Sequence, residues 1–142
     1  MIACVDGRNG MAFHNRRQSQ DRLARWDILK EAGRAPLWVN AVTARQFTDG
    51  QQSRLRIDEA FLDRAGSGEF CFVEDRSVKP YETRIEQVIL YRWNRAYPAD
   101  VHLAWDPAAA GFSLAERTEF PGHSHKAITR ERYVRGADHD KT

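Results

Sequence analysis

The sequence is poor in cysteine and lysine, and it has no long apolar run, no repeat and no low-complexity segment. Its two cysteines, Cys4 and Cys71, lie inside the apolar runs Ile2-Ala3-Cys4-Val5 and Phe70-Cys71-Phe72-Val73, with no CxxC spacing. A disulfide framework and a zinc site are therefore not expected, and both thiols should pack as small hydrophobes. No stretch approaches the ~20 apolar residues that span a bilayer. No charged-then-apolar leader precedes Ile2, so a cytoplasmic protein without membrane contact is expected. A Walker loop and a GxGxxG string are both missing. Ser19 has no Gly-x-Ser-x-Gly setting, and no nucleophile-base pair stands out along the chain. Lysine occurs only at Lys30, Lys79, Lys126 and Lys141. Arginine therefore carries the positive charge, and it favours bidentate contact with carboxylate or phosphate.

Against these absences, the stretch from Ile85 to Leu103 stands out. Its centre, Val88 to Trp93, joins β-branched, aliphatic and aromatic residues without Gly or Pro, as a strand buried on both faces requires. Tyr97-Pro98-Ala99-Asp100 then breaks the pattern into a turn. Ile2 to Val5 reads as another buried strand, followed by the turn-rich Asp6-Gly7-Arg8-Asn9-Gly10 and an irregular loop from Met11 to Gln18. Ser19 is placed to cap a helix running to Ala32, with Leu23, Trp26 and Leu29 on its inner face and Gly33 stopping it. Leu37-Trp38-Val39 reads as a strand, with Asn40 capping a short helix from Thr43 to Phe47. Gln51 to Arg56 carries no clear pattern. Asp58 then caps a helix whose Ile57 and Leu62 have the spacing of a hydrophobic staple. Phe70 to Val73 is a third buried strand. Alternation of this kind predicts an α/β fold with a mostly parallel sheet and flanking helices. Phe112 to Glu116 and Ala127 to Val134 form a C-terminal antiparallel hairpin at its edge. At 142 residues the chain is long enough for one domain, expected over 1–135, with a frayed tail from Gly136 to Thr142.

Several of these strings resemble the dihydrofolate reductase family. Ala3-Cys4-Val5-Asp6 with Asn9-Gly10-Met11 is similar to that family's first strand and the start of its mobile loop. Leu37-Trp38-Val39-Asn40-Ala41-Val42-Thr43 is similar to its Val-Ile-Met-Gly-Arg-x-Thr segment, and Ile57-Asp58-Glu59-Ala60 to its Asp-Glu-Ala helix. Asp100-Val101-His102-Leu103 resembles an Asp-x-His-Phe segment, and His123-Ser124-His125 stands where the family opens its last strand with Ser-His. The resemblance implies a dihydrofolate-reductase-like fold. It implies a small ligand (pterin-, folate- or nucleotide-like) contacted by Ala3, Cys4, Asp21, Thr43, Val73 and Tyr91. Asp21 takes the place of the carboxylate that pairs with the pterin ring, although an acidic residue there also suits a helix dipole. The Leu-Pro-Trp that precedes it in the family is replaced by Arg17-Gln18-Ser19.

The departures bear on the cofactor. After Phe72-Val73 the family has glycines whose amides approach the pyrophosphate of NADPH, whereas this chain has Glu74-Asp75. Asn40-Ala41 replaces a Gly-Arg, and the segment from Thr43 to Ile57 is short for the family's extra strand. The expectation is a reduced domain that binds a small ligand or a protein partner without NADPH-dependent hydride transfer, with no cofactor, no metal and no assigned catalytic residue. The alternative is an active enzyme, either a reductase with an atypical cofactor site or an RNA-binding or RNA-processing accessory. His123-x-His125, read as part of a strand, resembles only the first part of the HxHxDH motif of metallo-β-lactamase-fold nucleases such as ribonuclease Z. Ala127 and Ile128 stand where Asp and His would be needed. The basic segment Arg8, Arg16, Arg17, Arg22 and Arg25 is interrupted by Asp6, Asp21 and Asp27, so nucleic acid is not the expected partner, and Trp26 is expected in the core.

Overall fold

The structure, a computed structural model, describes residues 1–135, so the tail expected from Gly136 onward lies outside the described residues. In chain order the strands are β1 (Ile2–Val5), β2 (Gly10–Phe13), β3 (Arg16–Arg17), β4 (Leu37–Val39), β5 (Leu55–Ile57), β6 (Phe70–Val73), β7 (Gln87–Arg92), β8 (Val101–His102), β9 (Phe112–Phe120) and β10 (Ile128–Arg135). The α-helices are α1 (Arg22–Ala32), α2 (Ala41–Ala44) and α3 (Phe61–Arg64), with 3-10 turns at Asp49–Arg54 and Lys79–Arg84.

Seven strands form one sheet in the order β5-β4-β6-β1-β7-β10-β9. The first five run parallel, and β10 and β9 add as an antiparallel pair beyond β7. Strands β1 and β7 are buried on both faces, as their unbroken apolar runs require. Alternation along each strand sends Ala3, Val5, Val88 and Leu90 into one core and Ile2, Ile89, Tyr91 and Trp93 into the other. The second core is covered by α1 through Ala24, Ile28 and Leu29.

Five expectations need correction. The segment from Met11 to Gln18 is not irregular. Strands β2 and β3 pair across His14-Asn15, both at positive φ, and join β8 in a separate three-stranded sheet. Asp21 rather than Ser19 caps α1, accepting from the N–H groups of Leu23 (2.9 Å) and Ala24 (3.3 Å). The apolar buried face of α1 is Ala24, Ile28 and Ala32, at i, i+4 spacing, together with the expected Leu29, while Leu23 and Trp26 stand 40% and 61% exposed. Segment 43–57 does contain a further strand, because β5 pairs in parallel with β4 through Leu37–Leu55 and Val39–Ile57. The expected helix from Asp58 is the single turn α3, with Asp58 accepting from the Ala60 N–H and Ile57 exposed.

Candidate functional site

In open parallel sheets, ligands bind outside the carboxyl ends of the strands. Here Asp6 follows β1, Asn40 follows β4, Glu74 follows β6 and Trp93 follows β7. Three loops meet above them: 18–21 before α1, 93–100 after β7, and 121–127 between β9 and β10. The first two loops are tied down by Asp6, which is buried. It accepts from the N–H groups of Arg8, Gly10 and Tyr97 and from the Gln18 side chain. Burial would raise the pKa of Asp6, but these hydrogen bonds outweigh it and hold the carboxyl below its ordinary range.

The third loop closes on Asp21. Six donors converge on this carboxylate: Leu23, Ala24 and His123 N–H on Oδ1, and Ser124 N–H, Ser124 Oγ and His125 Nδ1 on Oδ2. A Cβ at Gly122 would stand 2.7 Å from Asp21 Oδ2 and 3.0 Å from the His125 carbonyl, so the loop reaches the carboxylate only because residue 122 is glycine. Burial opposes ionisation of Asp21. The bonds from His123, His125, Ser124 and Ala24 overcome it and keep the carboxyl far below the usual range.

His125 lies between these groups with its side chain 4% exposed. Its Nδ1 is 2.9 Å from Asp21 Oδ2, and its Nε2 is 2.8 Å from Ser19 Oγ and 3.1 Å from the Tyr97 hydroxyl. The Trp93 ring stacks on the imidazole at 4.4 Å and 21°. His123 points elsewhere, its Nδ1 meeting Arg22 at 3.2 Å. The two histidines sit in a loop rather than a strand and do not share a face. Among the described residues, no group of three or more His, Cys, Asp or Glu side chains is placed to hold a metal ion.

Beside this cluster, the position occupied by glycines in the resembling family is filled. Glu74 receives Arg17 Nε at 3.0 Å, Thr43 Oγ1 at 2.8 Å and Gln46 Nε2 at 3.1 Å, and the Arg17 and Glu74 side chains are 19% and 11% exposed. Next to it, Asp75 accepts from Asn40 Nδ2 and pairs with Arg76. The space left between the loops is a cavity of about 10 Å³ lined by Cys4, Ser19, Gln20, Asp21, Arg25, Gln46, Glu74 and Trp93, among others. A larger cavity of about 340 Å³ lies at the opposite, amino-terminal end of the sheet, around Met1, Phe70, Arg84 and Gln87.

Of the residues expected to contact a ligand, Cys4 and Asp21 line the small cavity, and Thr43 stands one hydrogen bond away behind Glu74. Ala3 and Val73 point into the core on the other face of the sheet, one residue out of phase with Cys4 and Phe72. Tyr91 is on the cavity's face but deeper, its hydroxyl donating to Asp27 at 2.6 Å. Cys4 is a poor nucleophile there, because burial pushes its thiol pKa well up. Ser19, His125, Tyr97 and Trp93 were not expected in one place. They come from three separate loops, and no spacing along the chain announces them.

No family model matches the chain, and no curated protein does either. Among solved structures it is similar to a dihydrofolate reductase from Enterococcus faecalis complexed with NADP(H) and RAB-propyl. That likeness has a TM-score of 0.62 at 10% identity, over 95% of this chain and 96% of that one. The chain therefore has a dihydrofolate-reductase-like fold, with the site just described at the carboxyl ends of its sheet. No helix among the described residues is long and apolar enough to cross a membrane.

Proposed function

We propose that this is a reduced dihydrofolate-reductase-like domain that binds a small anionic ligand between its three carboxyl-end loops and does not transfer hydride from NADPH. The observation that carries this reading is Glu74, gripped by Arg17, Thr43 and Gln46 where a pyrophosphate would need bare backbone amides. A dinucleotide would have to displace this set and would then meet the carboxylates of Glu74 and Asp75. The pterin pairing that the family resemblance implies for Asp21 is also poorly served, because six donors from its own chain already fill the carboxylate. Arg25, which lines the cavity beside Gln20, favours a negatively charged molecule of modest size.

Thermal-shift measurement against short carboxylates, inorganic phosphate, pterins and NADPH tests the reading. A ligand at 100 times its Kd adds about 2.7 kcal/mol of stability. Stabilisation by small anions, weakening with salt and absent with NADPH, is the expected outcome. Micromolar or tighter NADPH binding by calorimetry would overturn it.

A further inference from the structure

We infer that Ser19, His125 and Asp21 form a nucleophile, base and orienting acid, and that the protein transfers the acyl group of a short, negatively charged ester or thioester through Ser19. This rests on the small-ligand reading and gives the ligand a chemical class. The geometry is that of a hydrolytic triad assembled from unrelated loops, with Ser19 Oγ to His125 Nε2 at 2.8 Å and His125 Nδ1 to Asp21 Oδ2 at 2.9 Å. Such triads are recognised by distances and roles rather than by order along the chain.

Each member is fixed for its role. Asp21 is buried and able only to accept, so His125 turns a protonated Nδ1 toward it, and in the neutral imidazole Nε2 is the acceptor that faces the Ser19 hydroxyl. The Trp93 face, stacked on the imidazole, favours the imidazolium that forms when His125 takes a proton. Ser19 is the partly exposed member, standing at the cavity while His125 and Asp21 are buried behind it. The cavity beside it, about 10 Å³, admits one water-sized group, which limits the acyl part to a short chain. Arg25 lines the same cavity. It would meet negative charge on the substrate or on the oxygen of a tetrahedral intermediate. The Tyr97 hydroxyl, 3.1 Å from the same Nε2, helps to position the ring.

In the first step Ser19 Oγ bonds to the acyl carbon and its proton passes to His125 Nε2. The C–O or C–S bond to the leaving group then breaks, and the departing alkoxide or thiolate takes the proton from His125. In the second step water attacks the acyl-Ser19 ester while His125 accepts a proton from it. The acid leaves, and the Ser19 hydroxyl is restored. No oxidant, reductant or metal enters the balance.

The test uses the full chain with an alkyl fluorophosphonate, which phosphonylates an activated serine with loss of fluoride, and with p-nitrophenyl acetate as a short acyl donor. One adduct per chain, mapped to Ser19, is expected, together with ester turnover that falls by ~100-fold or more in Ser19→Ala. Ser19 is not in either core, so Ser19→Ala should keep the wild-type unfolding transition. His125→Gln should also abolish labelling, and Ser19→Cys should regain acylation by the ester, which a merely structural serine would not allow. Absence of any adduct on the wild-type chain, or an adduct that persists in Ser19→Ala because it lies on Tyr97 or elsewhere, overturns the inference. If acetate or phosphate stabilises wild type and Ser19→Ala alike while no adduct forms, the binding reading stands and the acyl-transfer inference falls. If neither stabilisation nor adduct is seen, both fall.

Discussion

Asp21 does two jobs with one carboxylate: it caps α1, and it holds the 121–127 loop through His123, Ser124 and His125. Because its folded pKa is depressed, it contributes stability above its unfolded pKa of about 3.9, and that contribution is lost as pH falls below it. Asp6 and Glu131, also depressed, act in the same direction. Wild-type stability in urea should therefore drop between pH 5 and pH 3. Asp21→Asn should start about 3 kcal/mol lower at pH 7, since its amide NH2 turns a donor toward groups that themselves donate, and should lose less over that acid interval. Equal losses for both proteins would show that the carboxylate is not ionised in its cluster. At this scale the sequence was only partly legible. Asp21 was singled out by the family resemblance, as a ring-binding carboxylate that also suits a helix dipole, while the cap itself was expected of Ser19. The pairing of Ser19 with His125 spans 106 positions, and only the tertiary fold brings them together.

Helix α1 shows why a helical period can be seen while its direction is missed. Leu23, Trp26 and Leu29 form one apolar series, and Ala24, Ile28 and Ala32 form another on roughly the opposite side of the helix, with Leu29 buried at the border between them. The two bulkiest residues, Leu23 and Trp26, drew the first expectation. The sheet instead accepts the slimmer series, and Lys30 lies over the exposed Trp26 ring at 5.9 Å. Trp26→Ala should cost no more than about 0.5 kcal/mol, as surface changes do. Ile28→Ala should cost about 2 to 5 kcal/mol, as loss of a fully buried aliphatic side chain does. Chemical denaturation of the two variants checks the assignment, and a reversed order would put Trp26 in the core. The same helix buries Asp27, which takes the Tyr91 hydroxyl and Arg130 of β10. Polar contacts thus help α1 to hold the terminal hairpin, and hydrophobic patterning does not register them. Three central strands, by contrast, were legible: β1, β6 and β7 are short apolar runs on both faces, too short for buried helices.

For the whole molecule, the order of strands and helices carried the fold, and individual residues decided the site. Strand β5 escaped notice because three residues with one buried side chain leave little periodicity; it is specified by its neighbour β4 rather than by its own pattern. That Glu74-Asp75 stands where the resembling family has glycines was legible in the sequence, and it is the residue-level basis of the proposed loss of dinucleotide binding. The partners that hold Glu74 come from Arg17, Thr43 and Gln46 and needed coordinates to be seen.

The place of β1 bears on how the chain is made. Strand β1 precedes both of its sheet neighbours in the chain, yet it sits between β6 and β7, and β7 in turn waits for β10, whose Arg130 closes on Asp27. A growing chain therefore holds β1 unpaired until β6 and β7 have emerged, and β7 keeps an open edge until β10 follows, a period in which exposed strand edges invite aggregation or chaperone capture. Nascent chains arrested with residues up to Arg92 outside the ribosomal tunnel should be cut readily by protease, and those arrested with Arg135 outside should resist. Protection already present at the shorter length would mean that the sheet closes without its terminal hairpin.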